Sequence, residues 1–253
     1  MPNNTIDKDG PWPITSSKGD KEYLVYRKNS GRLACPCTGY HYRSKCWHIP
    51  EAIKKYGLEE NVGPLPLFLA ACNYQLKGYC VIPIFPGEKR PMVNWKTYLE
   101  EKMFPTISDL ADWWTVTPDA NVGILLGKNS NGFFPLCLDL DGGEEAEKLL
   151  EESGVFLPSD APRSKTPNGY HVFISAPRRI PDQIGVLRSS SPRQDGSLTP
   201  GGNPRYAQID VRGAGVIVLP PSVHPSGDVY SWSSELTDGP PPAAPQSLLK
   251  LIG

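Results

Sequence analysis

The stretch "FFPLCLDLDGG", residues 133–143, combines an apolar run with two acids, Asp139 and Asp141, close to its end. The apolar run predicts a buried strand, on which residues i and i+2 point to the same face. The two carboxylates therefore project together, about 6–7 Å apart. Because a buried carboxylate costs several kcal/mol unless it is paired or binds a metal, the stretch predicts a cation site at the end of a core strand.

The type of cation follows from the type of ligand. Hard carboxylate oxygens at this separation favour Mg²⁺ or Mn²⁺. An EF-hand is a poor alternative, because Gly142 follows too soon and the further ligands are missing. A second alternative stays open, in which the Asp141 side chain caps the helix that begins at Gly142 or Gly143 and binds no metal.

Two later segments supply polar residues of the kind that such a site requires. In "QIDVRG", residues 208–213, Asp210 alternates with apolar residues, so that a third acid shares a strand face with other polar side chains. In "SKTPNGYHVFIS", residues 164–175, His171 follows a Pro-Asn-Gly turn whose backbone can approach a phosphate closely. A lone strand histidine is more often an ordinary core or surface residue. His171 is therefore a candidate site residue only in combination with the acids.

Helical and extended segments alternate around these strands, and the second half of the chain is mostly extended. This order predicts an α+β fold, with a mixed or antiparallel sheet and flanking helices, plus a small N-terminal module. The Pro-, Gly- and Ser-rich stretch 187–204 predicts a mobile loop. Helices are predicted over 65–78, 106–116 (with Ser108 as a candidate cap) and 142–154, and strands over 79–85, 121–127, 133–140, 169–175, 206–213, 215–220 and 229–233.

Charge is distributed unevenly along a chain of ordinary globular composition, with 253 residues, 39% hydrophobic, 21% charged and a net charge of −1. Residues 21–55 hold 8 Lys or Arg against 2 Asp or Glu, residues 163–212 hold 8 against 3, and residues 100–160 hold 13 acids against 3 bases. Two basic regions that flank an acidic one suit a protein that binds phosphates and cations, although ordinary solvated surface charge is an equal alternative.

The sequence predicts four parts: a disordered lead-in (1–20), a small module (21–60), a main domain (61–240) and a tail (241–253). No stretch approaches the roughly 20 apolar residues of a membrane span. The N-terminus also lacks the apolar region of a signal peptide. We therefore expect an intracellular, cytoplasmic protein with no membrane partner.

The small module contains Cys35, Cys37, Cys46 and His48, in the order Cys-x-Cys, eight residues, Cys-x-His. Three thiolates and one imidazole are the ligands that structural Zn²⁺ prefers, with no position left for water. Such a metal would also stabilise a module that is too small to form its own core. His41 stays open as an alternative to His48.

This cysteine pattern resembles the SWIM zinc finger, whose signature is Cys-x-Cys, a spacer, and then Cys-x-His. After a polar loop, "IPEAIKKYG", residues 49–57, resembles the terminal helix of that family, so that the resemblance covers about residues 22–57. It implies a module that binds DNA or protein, and the local excess of positive charge favours DNA.

The order of acids and histidine in the main domain also carries a resemblance. An Asp-x-Asp pair, a glycine turn with His, and an Asp on a late strand resemble the archaeo-eukaryotic primase superfamily, and more closely the bifunctional DNA primase/polymerase N-terminal family. The segments "VIPIFPGEKRPMVNWK" (81–96) and "IDVRGAGVIVLPPSVHPSGDVYSW" (209–232) are similar to that family, and the resemblance spans about residues 65–235. In one departure, Asn168-Gly169 stands where relatives often have Gly-Gly.

The resemblance implies a nucleotidyltransferase of DNA replication, which makes or extends primers on a single-stranded DNA template from nucleoside triphosphates, with Mg²⁺ or Mn²⁺ as cofactor. Because the sequence contains no helicase domain, we expect a stand-alone enzyme or one half of a split replication module, with a separately encoded helicase as a candidate partner and a prokaryotic, phage or plasmid context. Carried over residue by residue, the resemblance implies Asp139, Asp141 and Asp210 as catalytic metal ligands, His171 as the contact to nucleotide phosphates, and Lys89, Arg212 and His224 as further nucleotide-binding candidates.

Two rival functions stay open for the sequence alone. A catalytically idle DNA-binding replication protein would keep the same fold, although the retention of all three acids and His171 argues against it. A metal-dependent nuclease would use the same types of residue, because acids and histidine also support the hydrolysis of phosphodiesters.

Overall fold

The protein is described by a computed structural model, which covers residues 10–27, 33–43, 46–58, 66–100, 103–128 and 132–253, with the backbone alone for residues 41–43. Within these ranges, every helix is too short or too polar to cross a membrane. The chain divides into two compact units, one formed by Met1–Pro66 with Thr115–Asp119 and the other by Leu67–Trp114 with Ala120–Gly253.

The described part of the first unit contains β1 (Trp12–Thr15), β2 (Glu22–Arg27), β3 (Leu33–Ala34), α1 (Thr38–Arg43) and α2 (His48–Tyr56). The strands form an antiparallel sheet in the order β1-β2-β3. Trp12 and Ile14 alternate along β1 and are buried in one cluster with Val25 and Ala52. The alternation of two large apolar side chains therefore gives this small unit a core face.

Two segments of the first unit differ from the sequence-based prediction. The sequence predicts a disordered lead-in through residue 20, but Trp12–Thr15 pair with β2, because the buried side chains of Trp12 and Ile14 hold the strand against the core. Residues 1–9 of that predicted lead-in lie outside the described residues. The predicted polar loop after Cys37 contains the helix α1.

The second unit contains two antiparallel sheets and flanking helices, which confirms the predicted α+β fold. The large sheet has the strand order β12-β7-β8-β6-β10-β9, and the small sheet has the order β11-β5-β4. The elements are α3 (Pro66–Leu76), β4 (Val81–Ile84), α4 (Trp95–Glu100), α5 (Ile107–Val116), β5 (Asn121–Leu126), β6 (Phe134–Asp141), α6 (Glu144–Glu152), β7 (Arg163–Thr166), β8 (Gly169–Ala176), β9 (Gln183–Pro192), β10 (Tyr206–Arg212), β11 (Gly215–Leu219), β12 (Ser231–Ser234) and α7 (Gln246–Ile252).

Strand β6 lies between β8 and β10, and both of its faces are packed along most of its length. Leu138 and Leu140 are fully buried in one core cluster, which also contains residues of α6 and α7. Cys137 lies on the opposite face, in a second cluster with Phe173 of β8. Full burial of a leucine side chain stabilises a fold by about 1.5–3 kcal/mol, so the two leucines fix which face of β6 carries the acids.

The predicted mobile loop at 187–204 is wrong for residues 187–192, which belong to β9. Strand β9 continues to Pro192, and backbone hydrogen bonds close the connection that follows it. The amide of Arg193 donates to the Arg205 carbonyl oxygen at 2.8 Å, and the amide of Arg205 donates to the Ser197 carbonyl oxygen at 2.9 Å. Pairing of β9 with β10, which the Gly- and Ser-rich composition conceals, is the physical reason for the difference.

The predicted cap of α5 is also wrong, because Ser108 lies inside the helix. Thr106 and Asp109 form a reciprocal cap instead. The Thr106 amide donates to Asp109 Oδ2 at 2.7 Å, and the Asp109 amide donates to Thr106 Oγ1 at 3.2 Å. Two amides at the start of the helix are satisfied in this way.

Candidate active site and cysteine cluster

Four polar residues form one row across the central strands of the large sheet. Asp139 on β6 pairs with Asp210 on β10 and with His171 on β8. His171 pairs in turn with Ser164 on β7. Because directly opposed residues of antiparallel strands point to the same face, these side chains are neighbours. His171 Nε2 lies 3.7 Å from Asp139 Oδ1.

A second row lies two residues further along β6. It contains Asp141, with Gln208 opposite on β10 and Gly169 opposite on β8. Asp141 shares a face with Asp139 because the two residues are separated by one position on a strand. The structure therefore places the three predicted acids and His171 on one face of the sheet.

Burial and mutual repulsion set the charge state of these acids. Burial, followed by the charge of Asp141, raises the pKa of Asp139 to about 7. Burial and the charge of Asp210 likewise raise the pKa of Asp141. A cation between buried carboxylates relieves such repulsion, and oxygen ligands suit Mg²⁺ or Mn²⁺. The donor set therefore fits a divalent cation.

The carboxylate of Asp210 is held by its neighbours on β9 and β10. Its Oδ1 accepts hydrogen bonds from the Gly185 amide and from Gln208 Nε2, both at 2.8 Å. Among the described residues, the Cys and His cluster is the one group of three or more ligands gathered closely enough to hold a single ion, and the three acids do not form such a group. This arrangement is compatible with ligands that serve more than one cation.

We expect Asp139→Asn to stabilise the metal-free protein at pH 8. The pKa of Asp139 is about 7 in the fold, against an ordinary value of 3.8. The fold thus disfavours the charged form, and the free energy of unfolding falls as the pH rises from about 4 through about 7. The amide stays neutral at every pH, so the variant should gain on the order of 2–4 kcal/mol at pH 8.

Urea unfolding of wild type and variant in the presence of a chelator, at pH 5 and pH 8, measures this effect. The difference in the free energy of unfolding should be larger at pH 8. Asp160→Asn removes an exposed acid outside the site and serves as the control. Equal stability of Asp139→Asn and wild type at pH 8 would contradict the prediction.

His171 is a neutral imidazole at pH 7. Burial, followed by the charges of Lys89 and Arg212, lowers its pKa to about 3. Its ring stacks on Tyr230, with the ring centroids 5.9 Å apart. Among the described residues, neither His171 Nδ1 nor Ser164 Oγ has a hydrogen-bond partner, although both atoms are buried. A neutral imidazole can donate one hydrogen bond and accept another, so His171 can contact a phosphate without carrying charge.

Lys89 and His224 lie near this face. Lys89 is exposed in the turn after β4, and its positive charge opposes the rise in the pKa of Asp139. The His224 ring lies edge-on to Tyr230, at 5.8 Å between centroids, so that Tyr230 contacts both His224 and His171. His224 Nδ1 lies 2.7 Å from Ser226 Oγ. His224 therefore stands on the histidine side of the acids, whereas the charge of Lys89 acts on His171 and on both Asp139 and Asp141.

Arg212 is already paired. Its Nε donates to Asp182 Oδ2 at 2.9 Å. The other oxygen of Asp182 accepts hydrogen bonds from the amides of Gly213 and Ala214, at 2.9 and 2.7 Å. Asp182, which sequence reasoning missed, thus holds the turn between β10 and β11 together with the predicted arginine.

The turn before His171 packs directly against the end of β6. A Cβ atom at Gly169 would lie 1.9 Å from the Leu140 carbonyl oxygen. The Gly142 amide donates to the Asn168 carbonyl oxygen at 2.8 Å. Only glycine allows this approach, so the single glycine that follows Asn168 is sufficient for the turn.

We expect Gly169→Ala to weaken both the fold and the binding of divalent cations. The added methyl group must displace the backbone of Leu140, which lies between the two acids, and a forced shift of this kind costs about 1–3 kcal/mol. Thermal unfolding and calorimetric titration with Mn²⁺ measure the two effects. Gly201→Ala is the control, because a Cβ atom there would have only ordinary contacts. Unchanged Mn²⁺ affinity in Gly169→Ala would contradict the prediction.

The helix after the acids begins without a side-chain cap. The N-cap residue of α6 is Gly143, at which no side-chain hydrogen bond is formed. The alternative in which Asp141 caps this helix is therefore wrong. The Asp141 carboxylate lies on the polar face of the sheet, together with Asp139.

The cysteine cluster gathers four ligand atoms in the first unit. One ligand atom each from Cys35, Cys37, Cys46 and His48 lie within 4.8 Å of one another, and Cys35 Sγ is 3.6 Å from His48 Nδ1. Burial raises the pKa of Cys35 to about 12 and also raises the pKa of Cys46, so metal must displace protons from these thiols. This donor set fits tetrahedral Zn²⁺. The side chain of His41, the alternative ligand, lies outside the described residues.

Sequence reasoning missed three arginines near Asp141. Arg188, Arg193 and Arg205 line a cavity together with Asp141. A signal was present for two of them, because Arg193 and Arg205 flank a Gly- and Pro-rich segment of the kind that turns a hairpin.

Most of the second unit matches one model of a known protein family. The model of the bifunctional DNA primase/polymerase N-terminal family, Prim-Pol, matches residues 71–247, which is more than two thirds of the chain. The chain belongs to the Prim-Pol family. Among curated proteins, no relative matches the sequence.

Prim-Pol membership makes this chain a primase/polymerase, and hence a nucleotidyltransferase. The matched segment includes both polar rows of the sheet, together with Lys89, Arg212 and His224. The cysteine cluster lies N-terminal to the matched Prim-Pol residues.

Proposed function

We propose that this Prim-Pol domain makes or extends primers on single-stranded DNA, by nucleotidyl transfer that depends on Mg²⁺ or Mn²⁺. One observation carries the proposal: Asp139, Asp141 and Asp210 share one face of the central sheet with a buried, neutral His171. Acids alone would suit many metal-dependent reactions, and family membership selects nucleotidyl transfer among them.

In this proposal the three carboxylates would hold the divalent cations. Two divalent cations held there would supply activation of the attacking 3′-hydroxyl group and charge neutralisation for the pyrophosphate that leaves. Asp139 occupies the centre of its row, between Asp210 and His171. Asp210 would exchange the hydrogen bonds from Gly185 and Gln208 for a metal contact.

The incoming nucleotide triphosphate lies on the histidine side of the acids. His171 donates a hydrogen bond to a phosphate oxygen, and Lys89 supplies positive charge. His224 extends this side across Tyr230. Arg212, held by Asp182, adds charge from the end of β10. These residues act by positioning and charge stabilisation, and none forms a covalent bond to the substrate.

The N-terminal module, residues 21–60, is a SWIM-type zinc finger in this proposal, with Cys35, Cys37, Cys46 and His48 as the zinc ligands. It precedes a catalytic domain over 61–240 and a tail over 241–253. The module holds DNA through the positive charge of residues 21–55, and a protein partner is the alternative ligand. A separately encoded replicative helicase is the partner that the intracellular setting of DNA replication suggests.

The test is primer synthesis on unprimed single-stranded DNA, and extension of a primed template, with Mg²⁺ or Mn²⁺. Ribonucleotides and deoxyribonucleotides are supplied separately. The proposal predicts products longer than the primer, or new short strands, that require both metal and nucleotide. The absence of synthesis under all of these conditions would overturn it.

A nuclease is the second candidate function, and one further incubation separates it. Labelled DNA is held with metal but without nucleotides. The Prim-Pol proposal predicts DNA of unchanged length, whereas shortening of the DNA would favour the nuclease.

A further inference from the structure

A cavity of about 160 Å³ next to the acids contains a concentration of positive charge. It is lined by Arg188, Arg193 and Arg205, and Gln208 and Asp141 complete the wall toward the sheet. Arg188 on β9 lies directly opposite Gln208, and Gln208 lies opposite Asp141. The cavity therefore continues the second polar row of the sheet beyond β10.

Arg193 is the residue that indicates a ligand. Its side chain is only 10% exposed, and Nη2 donates to Asp195 Oδ2 at 2.7 Å. Its buried Nε has no hydrogen-bond partner in the described ranges of the chain. A buried donor without an acceptor costs free energy, and the cost is larger when the donor is charged. An acceptor from a bound molecule would remove this cost.

Contacts hold the other two arginines in place and, within the described ranges, leave most of their N–H groups for a ligand. Arg205 Nε donates to the Leu198 carbonyl oxygen at 2.9 Å. The guanidinium group of Arg188 stacks on the ring of Tyr206, 4.6 Å from its centroid. Planar guanidinium groups that are fixed in this way are typical phosphate ligands.

The strand order decides which phosphate the cavity receives. His171 lies on β8 and Arg188 lies on β9, so that the acids of β6 and β10 lie between them. In phosphoryl transfer, the attacking and leaving oxygens are roughly in line, on opposite sides of the phosphorus atom. The proposed function puts the leaving pyrophosphate near His171, on the β8 side of the acids. The strand that attacks would then lie on the opposite, β9 side, next to the arginines.

We propose that Arg188, Arg193 and Arg205 bind a phosphate group of the strand that supplies the attacking 3′-hydroxyl group. This inference rests on the proposed function, because the proposed function fixes on which side of the acids the pyrophosphate leaves. The phosphate has two sources of the same chemistry, which are the backbone of a primer and the 5′-triphosphate of an initiating nucleotide.

The first experiment measures binding of a fluorescent primed DNA by anisotropy, without nucleotides, across a salt series. Arg193→Gln and Arg188→Gln are compared with wild type, and Arg178→Gln is the matched control, since it removes an exposed arginine beyond the opposite end of β8. Each cavity variant should weaken binding about tenfold, and should reduce the slope of log affinity against log salt by about 0.7, the value for one phosphate contact on a single strand. The control should match wild type.

The second experiment distinguishes binding of the primer or of the initiating nucleotide from binding of the incoming nucleotide. For primer extension, the KM for the primer should rise about tenfold in the cavity variants, while the KM for the incoming nucleotide stays within about twofold. For synthesis on unprimed template, initiators with a 5′-triphosphate, a 5′-monophosphate or no phosphate are compared. If the triphosphate of the initiator is the ligand, the variants lose the preference for it and extend primers normally.

The outcomes either support or overturn the proposal. A higher KM for the primer, or a lost preference for the initiating triphosphate, supports it and identifies the source of the phosphate. Unchanged KM values, initiator preference and DNA binding overturn it, as does a change in the KM for the incoming nucleotide alone. Arg188 is exposed, so Arg188→Gln keeps the test valid if Arg193→Gln unfolds. Failure of the proposed function is distinct, because wild type would then make no product while anisotropy still reports on the cavity.

Discussion

Asp139→Asn combined with Asp141→Asn should reduce primer synthesis at least about a thousandfold, because carboxylates that hold catalytic cations contribute several kcal/mol to the barrier. The two substitutions keep the size of each side chain and remove the charges that bound cations would require. The leucines on the opposite face of β6 stay buried, so the strand should keep its place in the sheet. Product formation is followed on primed and unprimed single-stranded DNA, with Mg²⁺ and with Mn²⁺.

The control for this pair is Glu151→Gln combined with Glu152→Gln, which removes two exposed charges from the end of α6. It should synthesise primers as wild type does. Synthesis that is undiminished in the aspartate variant would place the chemistry elsewhere. If wild type is itself inactive but binds DNA, the idle DNA-binding protein becomes the better description of the chain.

Cys46→Ala should abolish stoichiometric zinc. The ligand atoms of the cluster converge within 4.8 Å, so a tetrahedral site loses a quarter of its ligands. Zinc contributes about 10–16 kcal/mol to the folding of comparable small modules. The first unit should therefore lose its ordered structure, while Mn²⁺ binding in the second unit persists. Metal analysis of the purified protein measures the zinc content, and anisotropy measures the loss of DNA binding.

Cys72→Ala is the matched control for the zinc experiment. Cys72 is a partly buried free thiol on α3, outside the cluster. Its replacement should leave about one zinc per chain, as one closed tetrahedral site requires. Wild-type protein without zinc would contradict the assignment. A Cys46→Ala protein that loses zinc but binds DNA normally would favour the alternative in which the module binds protein.

The parts of this fold that are local in sequence could be predicted from it. The apolar run before Asp139 predicts β6 correctly, because the pattern and the buried face coincide within a few residues. The same holds for the acids, whose separation by one position fixes a shared face whatever the neighbouring strands are. The glycine turn before His171 could also be predicted, since its close approach to a backbone requires a residue without a side chain.

The parts that depend on distant partners could not be predicted. The stretch 187–204 carries turn residues, and its pairing with β10 depends on hydrogen bonds that composition does not encode. The ion pair of Arg212 with Asp182 joins residues 30 positions apart. The row that joins Ser164 to His171 likewise requires the register of β7, which is too short to stand out in the sequence.

The acids and His171 lie on strands, whereas Arg193 and Arg205 lie on the connection between β9 and β10, and this difference affects how such enzymes diversify. The acids and His171 are carried by strands whose opposite faces are core, so an insertion there would shift the register and destroy chemistry and fold together. Arg193 and Arg205 lie on the connection between β9 and β10, where length and sequence can vary at little cost to the core. Descendants of one ancestral domain could therefore acquire new preferences for the strand they extend, while the reaction itself is inherited unchanged.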